Sequence, residues 1–338
     1  MPELSEILKQ AWLVREARRP VIIFAAPGAK HYRNRCYTNH AHSFVNLSVT
    51  GTACACNCAH CRGKLLKTML PVITPEAMCR QVEQLAAKGC LGILVSGGAD
   101  AAGEVPLLPF AGALKRAREL GLRVLVHSGL ISRATAGALR EAGVDQVLLD
   151  VIGDEDTIRD VYHLDRKPQH YLEAMLNCRE AGLNIAPHLV IGLHYGTIRG
   201  ELNALELIRQ ANPQALVLVI LSPLSGTGMS GTTPPPVEEV ACLIGTARLL
   251  NPDVPLTLGC ARPPGVYKRD LERLAVDCGV DAIAYPDEST VLYARKRGLT
   301  TCFSEECCSL AGLAAATPGI GVEHRDRLRD ERDLPWSS

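Results

Sequence analysis

At 338 residues with 47% hydrophobic side chains, the chain can bury the core of one large α/β domain or two small ones, which excludes disorder throughout. Thirty-six basic and 36 acidic residues cancel to zero net charge, and aromatics are only 4%, so neither a nucleic acid nor an anionic membrane is an expected partner. Met1–Arg19 mixes Glu, Lys, Gln and Arg with apolar residues, unlike an export signal. No later run reaches the ~20 apolar residues of a membrane span, so a soluble, cytoplasmic protein is expected.

Residues 1–43 read as an N-terminal extension: a helix, then a loop, Ala25–His42, rich in Gly, Asn, His and Arg. From residue 44, short β-branched runs alternate with amphipathic stretches. Strands are predicted over Phe44–Val49, Gly92–Ser96, Arg123–His127, Gln146–Asp150, Asn184–Ile191, Ala215–Leu221, Pro255–Gly259 and Asp281–Ala284. Helices are predicted over Pro75–Lys88, Pro109–Leu120, Ser132–Ala142, Gln169–Ala181 and Ile198–Ala211. Four helical stretches end at Gly89, Gly121, Gly143 and Gly182, the C-terminal cap position. A doubly wound sheet shares this alternation, but eight β/α units are the number that closes a (β/α)8, TIM-type barrel, the fold predicted here over 44–315. Ser225–Pro236 reads as a turn-rich loop, and 316–338 as a flexible tail whose interleaved Arg and Asp suit solvent.

Fourteen cysteines are the outlier. Cys79, Cys90, Cys178, Cys242 and Cys278 stand singly in apolar segments, where cysteine serves as a small hydrophobe. The others gather at 54–61 and 302–308, or stand at 36 and 260. In a large chain without an export signal, clustered cysteines point to metal or redox chemistry. Cys54, Cys58 and Cys61 form C-x3-C-x2-C directly after the first predicted strand. Three thiolates on one short loop suit three irons of a [4Fe–4S] cluster and leave the fourth open to a small molecule. Cys56 reads as a bystander. A zinc site drawing on His60 is the alternative, although structural zinc usually takes two separated ligand pairs.

This motif on a β/α chain resembles the radical S-adenosylmethionine (SAM) superfamily, with His60 where that family usually has an aromatic residue. The resemblance implies a [4Fe–4S] cluster that binds SAM and cleaves it reductively to a 5′-deoxyadenosyl radical. Ser96-Gly97-Gly98 ends the second predicted strand as the family's glycine motif for the methionine group does, with Ala99-Asp100 in place of Glu. Asp150 matches ribose- or carboxylate-contacting positions, and Ile191-Gly192 the glycine motif facing adenosine. All fall at strand C-termini, where barrel active sites gather.

Within the superfamily, residues 20–315 resemble the biotin-synthase-like branch. Asp150–Asp154, Val161–Leu164, Pro187-His188 to Gly196, Leu258–Pro263 and Glu306–Ser309 together resemble the two-component lipoyl synthases. A biotin-type [2Fe–2S] cluster is not expected: His127-Ser128 and His188 occupy strands that would carry its cysteines, leaving Cys260 and Arg262. Cys302, Cys307 and Cys308 read instead as ligands of a second, sacrificial [4Fe–4S] cluster, with Cys36 or Cys260 completing the set. A structural metal site is the alternative. His188, His194 and Arg262 are the candidate catalytic residues, with His127, Tyr162 and His163 behind them; Arg262 could bind a carboxylate or serve as an ion-pair partner. The resemblance implies sulfur insertion into a protein-bound octanoyl chain. Its partners would be an octanoylated carrier (a lipoyl domain or H protein), a paralogous synthase subunit, and a reductant such as ferredoxin or flavodoxin. The alternatives are a carbon-rearrangement or cofactor-assembly enzyme using only the SAM cluster, and a non-catalytic Fe–S partner subunit.

Overall fold

The computed structural model describes residues 3–316, so the predicted tail lies, after Ala316, outside the described residues. In chain order it forms α1 (Leu4–Glu16), β1 (Val21–Ala25), β2 (Phe44–Ser48), β3 (Leu70–Pro71), α2 (Pro75–Ala87), β4 (Gly92–Ser96), α3 (Ala111–Glu119) and β5 (Arg123–His127). There follow α4 (Arg133–Glu141), β6 (Gln146–Asp150), α5 (Glu155–Tyr162), α6 (Pro168–Glu180), β7 (Ile185–Ile191), α7 (Glu201–Ala211), β8 (Leu216–Ile220) and α8 (Val237–Leu250). The chain closes with β9 (Leu256–Leu258), α9 (Val266–Asp277), β10 (Ala282–Ala284), α10 (Glu288–Lys296), β11 (Thr300–Ser304) and α11 (Cys308–Ala316). Helix starts follow local chemistry: Thr74, Ser132, Asp154 and Asp287 each accept a backbone N–H from the first turn, a cap typically worth about 1 kcal/mol.

The strands make one parallel sheet in the order β11-β1-β10-β9-β8-β7-β6-β5-β4-β2-β3. Ile23 and Ala25 of β1, Phe44 of β2, Leu125 of β5, Leu148 of β6 and Val217 of β8 share one inner core. A flat sheet could not bring these together, so the sheet curls into a TIM-type barrel. Among the described residues no pairing joins β2 or β3 to β1 or β11, and the barrel is open there. The outer faces of the strands carry a second core beneath the helices. All eight predicted strands are present.

Three further strands are not among them. Val21–Ala25, expected in an extension outside the barrel, pairs with both β10 and β11. Its five-residue apolar run is buried between the two strands, and that burial outweighs its brevity. The α11 helix lies against the inner sheet face, where Gly312 approaches Pro255 and Thr257 of the β9 region, 2.8 Å from the Thr257 hydroxyl for an added Cβ. The α1 helix packs on α8 and α9, and Trp12 lies under the Arg297 guanidinium at 3.8 Å.

Candidate iron–sulfur and cofactor site

The loop after β2 is folded by its own backbone. Cys61 and Arg62 N–H groups both donate to the Cys58 carbonyl (3.2 and 2.9 Å), and Asn57 and Arg62 take left-handed φ of 44° and 46°. Neighbouring elements clamp it: Ala55 N–H donates to Ala99 O, Ala59 N–H to Val161 O, and His163 Nδ1 lies 2.9 Å from Cys56 O. The thiols then meet in a file, Cys54 to Cys56 to Cys58 to Cys61. Sharing protons with Cys56 and Cys61, and burial, push the Cys58 thiol up; the donating Cys58 thiol and His60 hold Cys61 below an ordinary thiol. The Cys58 and Cys61 sulfurs and a His60 ring nitrogen lie within 4.8 Å of one another.

Cys56 is thus inside the group, buried, with its sulfur also donating to Asp100 O at 3.4 Å. The loop sets Cys54, Cys58 and Cys61 in one file through Cys56, the expected bystander, which is itself anchored to the β4 loop. The set fits an iron–sulfur cluster on two grounds: soft thiol donors line one short loop, with the Cys58 and Cys61 sulfurs beside a His60 ring nitrogen, and His60 Nδ1 is a buried nitrogen with no partner among the described residues. Gly98 backs the loop so closely that a Cβ there would overlap Ala53 O and the Cys54 backbone, and its N–H donates to Thr50 Oγ1 at 2.7 Å. Gly97 lies against Val49 and Thr50. At β7, Ile191 is buried in the outer core, and Gly192, at φ 76°, donates its N–H to Glu201 and abuts Pro235.

A polar file crosses the barrel from this loop. The His60 ring sits 5.2 Å from that of Tyr162, whose hydroxyl donates to Asp150 Oδ2 at 2.7 Å. Asp150 Oδ1 lies 3.5 Å from His127 Nε2, and the His127 and His188 rings are 5.5 Å apart, edge to face. Burial alone would raise the Asp150 carboxyl, but the hydrogen bond and charge of His127, with Tyr162, hold it well below the carboxylate range. For His127 burial works downward and Asp150 prevails, leaving it raised; burial and the His127 charge lower His188 to about 4.

At the far end of the file, Cys260, Cys307 and Cys308 hydrogen-bond through their thiols, and Cys307 is an electrostatic neighbour of His127. Cys302 faces the same inner core from β11. Cys36 is elsewhere: its charged neighbours are Arg295 and Glu288, and burial pushes its thiol up. His194 sits apart from His188, bonding Thr157 Oγ1 at 3.1 Å and facing Arg199. Arg262 is 7% exposed; its guanidinium pairs with buried Glu272 and donates to the carbonyls of Gly259, Ala284 and Tyr285, which is the ion-pair role and not a free carboxylate clamp. Conversely, His127 and Tyr162 sit centrally. Their signal in the sequence was a strand-terminal His and a helix-end Tyr facing one Asp, which emerges only once β5, β6 and α5 are neighbours.

The family profile described as "Radical SAM superfamily" matches residues 48–208. A biotin synthase of Prochlorococcus marinus is 26% identical over 186 residues, 51% of this chain and 50% of that protein, so the chain spans about half the length of this relative. A biotin synthase of Xylella fastidiosa is 23% identical over 302 residues, covering 84% and 85%. Among solved structures, methylornithine synthase superposes with TM-score 0.62 at 16% identity over 88% of this chain and 89% of that one. The FeFe-hydrogenase maturase of Carboxydothermus hydrogenoformans gives 0.61 at 16% over 93% and 75%. Fold, thiol loop and profile agree: the chain carries a TIM-type barrel like those structures, and its residues 48–208 match the radical SAM superfamily profile.

Proposed function

We propose that this chain is a radical SAM sulfurtransferase that inserts sulfur into C–H bonds of a protein-bound octanoyl chain, as one of two lipoyl synthase subunits. The observation that carries the reading is the second thiol group, Cys260, Cys307 and Cys308, which hydrogen-bond one another with Cys307 and Cys308 in the inner core. Cys54, Cys58 and Cys61 would hold a [4Fe–4S] cluster, which with bound SAM supplies one-electron chemistry able to open an unactivated C–H bond. Gly97 and Gly98 keep the loop's rear wall free of side chains; the Ile191 side chain lies in the outer core, so it is the backbone of Ile191-Gly192 that would face adenosine. Tyr162 and His127 hold the Asp150 carboxylate ionised and oriented toward the lumen. The inner layer of Leu125, Leu148, Ala186, Val217 and Val219 excludes water and suits an alkyl chain. Cys260, Cys307, Cys308 and Cys302 would hold the second, auxiliary [4Fe–4S] cluster, and His188 faces the same interior. An octanoylated lipoyl domain or H protein, a paralogous subunit and a ferredoxin or flavodoxin would be the partners.

The test is iron and sulfide content of anaerobically reconstituted protein beside a Cys54/Cys58/Cys61→Ala variant. About eight irons falling to about four supports two clusters, and sulfur should then appear in an octanoyl-lysyl peptide. About four falling to none removes the second cluster. That outcome selects the second reading, a biotin-synthase-like enzyme for carbon rearrangement or cofactor assembly that works with the first loop alone.

A further inference from the structure

Between Glu16 and Glu76 the chain has no acidic residue but eight Lys and Arg, so a molecule with no net charge concentrates positive charge in one stretch. That stretch divides in the fold. Its first part is largely occupied: Arg18 pairs with Asp281, Arg35 with Glu288, and Lys30 lies over the Tyr285 ring. Its second part, Arg62 to Ile73, leaves the thiol loop directly, with Lys64 N–H donating to Cys61 O at 2.9 Å. Here Arg62 and Lys67 are exposed and have no acidic partner among the described residues. Between and beside them stand Leu65, Leu70 and Ile73, exposed by 51%, 42% and 66%. Leu70 lies on β3, the terminal strand of the sheet, whose outer edge pairs with no other strand among the described residues. Exposed leucine and isoleucine within a basic rim is the anatomy of a protein-docking patch.

We propose that Arg62, Leu65, Lys67, Leu70 and Ile73 form the docking surface for an acidic, one-electron carrier protein. The proposal rests on the reading of Cys54, Cys58 and Cys61 as iron ligands. The charge calls for an acidic partner, and the position selects an electron carrier, since this patch is the stretch of surface continuous in sequence with Cys61. A carrier seated there loses one electron as the thiol-bound iron centre gains it. Nucleic acid is disfavoured because no aromatic residue lies between Phe44 and Phe110 to stack a base.

The experiment uses anaerobically reconstituted full-length protein, titrated calorimetrically with a flavodoxin and with a [2Fe–2S] ferredoxin. Wild type should bind at least one of them. Affinity should fall roughly tenfold or more in Arg62→Glu/Lys67→Glu, and likewise when salt rises from about 50 to about 300 mM. Leu65→Ser/Ile73→Ser should weaken binding without changing its salt dependence. Reduction by dithionite, a small molecule that needs no docking, should be unchanged in all variants. Equal affinity of wild type and charge-reversed protein, no binding to either carrier, or preferential binding to phosphatidylserine vesicles would each overturn the surface. Iron bound without carrier binding sinks this proposal alone. Carrier binding by protein that takes up no iron overturns the ligand reading and the redox role with it.

Discussion

Glu272 shows how one buried charge organises several chain segments. It is fully buried and meets Arg262 and Lys268, accepts the Asp287 N–H at 2.7 Å, and accepts the Thr290 hydroxyl at 2.6 Å. Removing its charge strands the Arg262 guanidinium in the protein interior, so Glu272→Gln should cost about 3–5 kcal/mol in urea unfolding. A near-neutral result would show that Arg262 finds another partner. Asp150 and His127 make a second, less buried pair whose value depends on pH. The Asp150 carboxyl is depressed, so its contribution is present above the ordinary carboxylate value and lost as pH falls. His127 is raised, so its contribution is present below the ordinary imidazole value and lost as pH rises through the folded one. Both hold between about pH 4 and 6.5, where Asp150→Asn should cost about 1–2 kcal/mol, less on either side. Unfolding curves at three pH values would show this window, and a flat difference would contradict the pairing.

The helix α11 illustrates what a sequence pattern can and cannot convey about an element. Its Leu310, Ala311, Leu313, Ala314 and Ala315 leave no polar face, and such a helix must be buried all round. That it enters the barrel interior follows only from the sheet's curvature and from the available space. Because Gly312 lies against Pro255 and Thr257, Gly312→Leu should overpack the lumen and cost about 1–3 kcal/mol, read from thermal unfolding, whereas Gly112→Leu on α3, with open space around its Cα, should cost far less. The eight core strands were legible because each is a short apolar run set between amphipathic stretches, and most close at or just before Gly, Asp or Ser. β1 and β11 were not: Val21–Ala25 is a short apolar run between the N-terminal helix and the Ala25–His42 loop, and Thr300–Ser304 is polar and half exposed. The C-x3-C-x2-C loop was legible because all three of its cysteines are local in sequence. The group of Cys260, Cys307 and Cys308 was half legible, since Cys260 comes from the end of β9 and only tertiary pairing brings it in. His127 and Tyr162 needed the same long-range neighbours, and the two readings of Arg262 stayed open because Glu272 stands ten residues away on another element.

As a whole, the molecule is a parallel barrel left open between β3 and β11, with its two thiol groups joined across the interior by Tyr162, Asp150 and His127. No described helix is long and apolar enough to cross a membrane. The described chain meets out of order: among the described residues β1 finds its strand partners only in β10 and β11, and α1 rests on α8 and α9. Synthesis runs the other way. The ribosome releases Val21–Ala25 well before β10 and β11, the strands that cover this apolar run. Until those strands emerge the nascent chain therefore carries an uncovered sticky strand, an exposure for holdase chaperones to shield, and the barrel can take its final form only once β10 leaves the exit tunnel.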